Sequence, residues 1–278
     1  MKIALFPNLE KTGAENLTAE ICEILHKNGD ELYIHRSLDG RFNFTNPCQH
    51  HFELADTCDV IVTVGGDGTI LHAAKHAAAF GKPILGINLG RVGYLAGLEP
   101  ENINQIPSVL AGNSITEERS MLKVEVNGKA LPYLALNEGV LKGELTKTID
   151  FTVDVNGSGN FPHRGDGIII STPTGSTAYS MAAGGPIVDP TLNCMLFTPI
   201  CPFSLYDRTT IYGGNTKLDI RIKSDSRVYL TIDGNAPIEI SNKDTVSFSV
   251  AEKGVKLIRS GTKNFYEVVS TKLITGQR

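Results

Sequence analysis

The chain has 278 residues, 41% of them apolar and 20% charged, and its 26 Lys and Arg against 30 Asp and Glu leave a formal net charge of -4. At roughly 150 residues per domain this is room for about two cores, which excludes a small scaffold held by disulfides. The slight acidic excess lacks the clustered Lys and Arg that a nucleic-acid backbone or an anionic membrane demands, so neither is expected as a partner.

Taken in chain order, Lys2 to Phe6 reads as an apolar strand with no signal-peptide core before it, which leads to the expectation of a cytoplasmic protein. Thr12 to Lys27 places Leu17, Ile21, Ile24 and Leu25 at helical spacing and stops at the turn Asn28-Gly29. A strand at Glu31 to His35 follows, then a polar connection through Gly40 to Pro47, with His50 and His51 read as loop residues. A buried strand at Val60 to Val64, a helix at Ile70 to Phe80 and a strand at Pro83 to Ile87 complete the first half. This alternation predicts a doubly wound α/β domain with a mostly parallel sheet over residues 1–115.

Beyond it the pattern changes to period 2, in Leu122 to Val126 before the turn Asn127-Gly128, and again in Leu218 to Ile222, Val228 to Ile232 and Val246 to Val250. Residues 116–262 are therefore expected to form a β-rich, antiparallel C-terminal domain. Phe265, Val268, Val269 and Leu273 predict a terminal helix over 263–278 that returns to the N-terminal domain. The apolar runs stay far below the roughly 18 residues of a membrane span. The five cysteines are odd in number and contain no C-x-x-C pair, so free thiols are expected rather than disulfides or zinc.

Two stretches carry the chemistry. In the first, the strand ending at Val64 runs into Gly65-Gly66-Asp67-Gly68-Thr69 and then a helix. Gly65, Gly66 and Gly68 let backbone approach a phosphate, and the helix N-terminus points amides and a dipole at an anion. Asp67 repels a phosphate unless it binds metal, accepts a hydroxyl hydrogen or takes its proton, and the plain alternative is a helix cap. The second stretch runs from Arg164-Gly165-Asp166 through the apolar Ile168 to Ile170 into Thr174-Gly175-Ser176-Thr177-Ala178-Tyr179-Ser180. Its hydroxyls suit sugar or base, and capping needs only one of them. Between the two lies Asn137-Glu138.

Together, and with Ala183 to Pro190, Asn88 to Leu95 and Thr231 to Asn235, these motifs resemble the NAD kinase family in order and spacing over nearly the whole chain. Gly-Gly-Asp-Gly alone also occurs in phosphofructokinases and lipid kinases. The resemblance implies transfer of the terminal phosphate of ATP, with polyphosphate as an alternative donor, to the 2′-hydroxyl of the adenosine ribose of NAD, giving NADP, with a divalent metal such as magnesium. It implies Asp67 as proton acceptor and Gly65, Gly66, Gly68 and Thr69 as the phosphate loop. Asp67, Gly68, His72, Asn137, Glu138, Thr174, Thr177, Ala178, Tyr179, Ser180, Met181, Ala182 and Asn235 are the residues expected around NAD. Arg164 and Asp166 are expected on its nicotinamide side, from the same chain or across a subunit boundary. A homodimer or homotetramer is implied as well.

His72 stands where many members carry Arg, Phe203 where His is frequent and Asn235 where Gln is common. His72 and His76 have the spacing of a zinc pair but no evident third ligand, so no protein metal site is expected. The competing readings are a lipid kinase of the diacylglycerol type and a non-catalytic NAD-binding sensor.

Overall fold

Short runs of Ile, Leu and Val alternate with amphipathic stretches through the first third of the chain, and each run becomes a strand under helices. The computed structural model describes residues 1–90, 93–145, 147–261 and 264–275, the last four as backbone only. In chain order the elements are β1 (Lys2–Pro7), α1 (Ala14–Lys27), β2 (Glu31–His35), β3 (Thr45–Cys48), α2 (His51–Thr57), β4 (Val60–Gly65), α3 (Asp67–Phe80), β5 (Ile84–Asn88), α4 (Ile106–Leu110) and β6 (Ile115–Arg119). Then come β7 (Leu122–Val126), β8 (Lys129–Ala130), β9 (Glu138–Gly143), β10 (Ile149–Val155), β11 (Asn160–Gly165), β12 (Gly167–Ser171), α5 (Tyr179–Ala182) and β13 (Cys194–Ile200). The chain continues with β14 (Thr210–Gly213), β15 (Lys217–Ile222), β16 (Val228–Ile232), β17 (Ile238–Ile240), β18 (Thr245–Val250), β19 (Val255–Arg259) and α6 (Phe265–Thr275).

The chain divides into two units, residues 1–118 with 255–278, and residues 119–254. The first is built on a seven-stranded sheet in the order β3-β2-β1-β4-β5-β19-β6, with β1 pairing in parallel to both β2 and β4. Strand order reverses between β1 and β4, the kind of switch point where open α/β sheets leave a crevice beyond the strands' carboxyl ends. All of β4 is buried. Its Val60, Val62 and Val64 share one core with Leu17, Ile21 and Leu25 of α1 and with Ile106 and Val109 of α4. On α3, Ile70, Ala73, Ala74, Ala77 and Ala78 are buried in turn.

The second unit is a sandwich of two six-stranded antiparallel sheets, β11-β10-β15-β18-β7-β8 and β14-β13-β12-β9-β16-β17. One core joins Phe151, Ile220 and Phe248 of the first sheet to Leu141, Ile168, Ile170 and Leu230 of the second. Alternation places every second residue of β10, β15 and β16 in that core, as period 2 requires. Strand β12 is buried along its length because its other face, at Ile169, packs with Val140, Ile200 and Ala183.

The structure differs from expectation in four places. The second unit ends at Gly254 rather than 262, because β19 pairs in parallel with β5 through Leu257 and Ile258 and so completes the first sheet. The polar connection contains β3, an edge strand where Pro47 costs little, and His51 opens α2 rather than lying in a loop. Helix α3 starts at Asp67, so the glycine turn is shorter than expected. Glu138 begins β9, a mid-sheet strand that lacks alternation because its Val140 packs with Ile169 of β12. Of the segments expected above, Arg91, Val92, residues 262 and 263, the side chain of Leu273 and residues 276–278 lie outside the described residues. Among the described residues no helix is long and apolar enough to cross a membrane.

Candidate active site

In the first unit the site is made by the way β4 turns into α3. A Cβ at Gly65 would collide with the Thr69 hydroxyl, and one at Gly66 would come within 2.6 Å of Lys11 Nζ. The two glycines therefore let the backbone pass beneath a hydroxyl and an ammonium group. Lys11 Nζ donates to the Leu89 carbonyl at 2.7 Å, which holds the cation beside the turn. The Leu89 amide donates to the Gly65 carbonyl at 2.6 Å, tying the end of β5 to the end of β4. Gly68 is exposed on the first turn of α3, with open space where a side chain would stand.

Asp67 does not cap the helix; Gly66 occupies the cap position without a side-chain bond. The Asp67 carboxylate instead accepts the Tyr94 amide at 2.9 Å on Oδ2 and the Leu95 amide at 3.2 Å on Oδ1. The carboxylate also lies against Gly93, where any Cβ would overlap it. Each carboxylate oxygen retains a lone pair, so the group is oriented yet still able to accept from a hydroxyl. Asn88, 2% exposed at the end of β5, donates to Glu99 while its own Oδ1 has no partner.

A cleft of about 440 Å³ opens at the switch point, lined by the end of β1, by Asn8 to Glu10, by His35, Ser37 and His51, and by Gly68, Thr69 and His72. Burial, followed by the charge of Lys75, holds His72 below the ordinary histidine value. Burial, with His35 and His72 adding to it, lowers His51 to about 4. These shifts favour the neutral imidazole at both His51 and His72.

In the second unit, Asp233 shapes the Asn137-Glu138 motif. Its carboxylate accepts the amides of Leu136 at 2.7 Å, Asn137 at 2.8 Å and Glu138 at 3.0 Å. Asp233 and Gly234 both have positive φ, 46° and 70°, in the turn after β16. Thr172 adds a second clamp, its hydroxyl donating to the Leu136 carbonyl at 2.6 Å and its amide to the Asn137 carbonyl at 2.9 Å. Gly175 packs so closely on the Asn137 backbone that a Cβ would overlap it.

Burial pushes the Glu138 carboxyl up to about 8, with Asp233 adding to the rise and the Tyr179 amide opposing it. Its Oε2 is buried without a partner. Glu138 and Tyr179 line a cleft of about 570 Å³ with Lys142, Tyr229, Thr231 and Pro237, so the structure brings these two predicted residues together.

The remaining predicted residues divide by what their side chains do. Thr177 donates to the Thr174 carbonyl at 3.2 Å, Ser180 pairs with Thr198 at 2.8 Å, and Ser176 accepts the Val188 amide at 3.0 Å. These hydroxyls hold the 174–182 segment in shape, and none caps a helix. Thr174 Oγ1, by contrast, is buried without a partner. Ala178 and Met181 are half-buried and Ala182 is exposed, on or beside the single turn of α5. Asn235 donates to the Ile232 carbonyl at 2.7 Å, closing the Asp233 turn.

Arg164 is exposed, 3.7 Å from Asp150 and 5.0 Å above the Phe203 ring, and the Asp166 carbonyl accepts the Gly143 amide. Neither Arg164 nor Asp166 lines the Glu138 cleft. Sequence reasoning missed Lys11, Gly93 and the clamping role of Asp233. The Asp233-Gly234 dipeptide carries a turn signal, Gly93 falls in the Asn88 to Leu95 segment without its contact to Asp67 being readable there, and nothing local marks Lys11.

Residues 3–113 match the family described as the ATP-NAD kinase N-terminal domain, and residues 136–260 match the ATP-NAD kinase C-terminal domain. The chain belongs to the ATP-NAD kinase family. It is 36% identical to the NAD kinase of Symbiobacterium thermophilum, covering 98% of both chains, and 36% identical to that of Citrifermentans bemidjiense, covering 100% of this chain and 99% of the relative.

Among solved structures, an NAD kinase from Archaeoglobus fulgidus in complex with ATP has a TM-score of 0.79 at 27% identity, over 97% of this chain and 99% of that one. Yeast NADH kinase complexed with NADH shares the fold, with a TM-score of 0.86 at 22% identity over 98% of this chain and 86% of that one. These similarities do not favour the lipid kinase or the sensor.

Proposed function

We propose that this chain transfers the terminal phosphate of ATP to the 2′-hydroxyl of the adenosine ribose of NAD, forming NADP and ADP. The observation that carries the reading is the Asp67 carboxylate, held by two backbone amides at the start of α3 with lone pairs to spare. As the 2′-oxygen bonds to the γ-phosphorus, the bond from that phosphorus to the bridging oxygen breaks, ADP departs, and the 2′-proton passes to Asp67. Gly65, Gly66, Gly68 and Thr69 receive the phosphates, and Lys11 adds a positive charge beside them.

In the second unit Asn137 and Glu138 hold the adenosine, with Thr174 Oγ1 and the Tyr179 ring as further contacts. Thr177, Ser180 and Asn235 keep that wall in place through their internal hydrogen bonds, and Ala178, Met181 and Ala182 offer surface for the base. Arg164 and Asp166 serve the nicotinamide side, and His72 contacts the ligand as a neutral group.

A divalent cation such as magnesium fits as a companion of the donor's phosphates. Among the described residues no cluster of carboxylates forms a cage, and Glu10, a carboxylate lining the cleft, is the residue suited to complete its oxygen ligands. The cation supplies charge neutralisation at the transferring phosphoryl group. Polyphosphate fits the same loop as an alternative donor. Residues 1–115 and 116–262 act as donor and NAD domains, apart from the strand at 255–259, and the protein works in the cytoplasm as a homodimer or homotetramer. Phosphorus NMR of the product tests the reading: a new phosphate on the 2′-oxygen of adenosine is expected, and a phosphate on any other hydroxyl, or free phosphate alone, contradicts it.

A further inference from the structure

His72 and His76 lie four residues apart on α3, and the fold brings a third imidazole to them from the start of α2. One ligand atom of each of His51, His72 and His76 lies within 4.8 Å of the others. Sequence spacing could not show this, because His51 is separated from the pair by β4 and the glycine turn. The three rings gather over Phe6, whose ring centroid is 5.2 Å from that of His51, 6.3 Å from His72 and 6.2 Å from His76.

His76 is 7% exposed, and neither of its ring nitrogens has a hydrogen-bond partner. A buried imidazole with both nitrogens idle carries a desolvation cost that folded proteins avoid unless something else satisfies the group. His51 and His72 line the open cleft, so an ion has a path to the cluster. His35 is no ligand: its Nδ1 is 2.8 Å from the Ser37 hydroxyl, and its ring stacks on His51 at 4.2 Å.

We propose that His51, His72 and His76 bind one divalent transition-metal ion of the zinc, cobalt or nickel type, joining α2 to α3. Three neutral nitrogen donors suit such ions and suit magnesium poorly. Tetrahedral binding at about 2.0–2.1 Å brings the ligand nitrogens to about 3.3 Å apart, so the rings must rotate inward by a small amount. The fourth position faces the cleft and takes water. Two ligands on α3 and one on α2 make the ion a crosslink between neighbouring helices that otherwise meet through the Phe52 ring of α2, set edge-on to His76 and Phe80 of α3.

The test uses the full chain, freed of metal with a chelator and titrated with Co²⁺ and with Zn²⁺. One equivalent is expected to bind, with the visible absorption of four-coordinate cobalt and a rise in Tm, while Mg²⁺ produces neither. His51→Gln, at a half-buried surface position that leaves the core intact, is expected to weaken Zn²⁺ binding by more than the roughly 10–100-fold that loss of an outer partner costs. His72→Gln is a second, exposed variant expected to do the same. Absence of a one-equivalent cobalt spectrum in the folded wild type overturns the proposal, as does binding that both variants retain or that Mg²⁺ displaces.

Discussion

A single carboxylate sets the reading of this chain, and its surroundings sharpen what substitution should do. Asp67→Asn replaces one acceptor with an amide group that faces a backbone N–H, so besides removing the proposed base it disturbs one of two orienting bonds. NADP formation is expected to fall roughly 10²–10⁴-fold while circular dichroism stays that of the wild type. Gly93→Ala is a subtler probe, since its Cβ overlaps the Asp67 carboxylate: kcat should drop while stability falls by no more than about 1–3 kcal/mol. Unchanged kcat in Gly93→Ala would mean that Asp67 can shift without consequence.

Glu138 gives a pH signature. Its folded value is about 8 against an ordinary 4.5, so between these the folded state holds a proton that the unfolded state has lost. Its contribution to stability is complete below the unfolded value and is lost as pH rises through 8. Thermal melts of the ligand-free protein from about pH 5 to about pH 9 should therefore decline more steeply for wild type than for Glu138→Gln. Parallel curves would show that the carboxyl is not held neutral. Asp67, Asn137 and Glu138 were legible in the sequence because they sit in short contiguous motifs. Lys11 and Gly93 were not, because each matters only through proximity to a residue distant along the chain.

At the scale of elements, the strand-turn-helix from β4 to α3 followed from local pattern, since a buried apolar run and three glycines specify it together. Strands β15, β16, β18 and β7 were legible from period 2. Strand β12 was legible as the apolar run Ile168 to Ile170, whereas β9 was not, because its Val140 packs on the covered face of β12 and alternation is lost. Helix α2 is too short to show a period, so the position of His51 beside His72 and His76 was invisible until the helix was seen.

The turn after β16 is the element that shapes the proposed NAD wall. Three amides of the Leu136–Glu138 segment depend on the Asp233 carboxylate. Asp233→Ala is expected to cost at least roughly 1.5–3 kcal/mol in chemical denaturation and to raise KM for NAD more than it lowers kcat. A change confined to kcat would place Asp233 in the chemistry instead.

For the molecule as a whole, the order of motifs along the chain carried the family, whereas the exchange of β19 into the first sheet did not show in local pattern. A short, largely buried strand does not announce which sheet it joins, and here the N-terminal unit claims the segment after Gly254. The two units bear different parts of the proposed reaction: the first a base and a phosphate loop, the second a buried acid, an aromatic wall and the hydroxyls that brace it. The measurement that tests this division most directly is NADP formation from NAD, ATP and magnesium by the purified wild type and by Asp67→Asn, with diacylglycerol as a parallel acceptor. The account predicts NADP from the wild type, little from the variant and no phosphorylated lipid. Bound NAD without NADP, or phosphorylated lipid in its place, would contradict it.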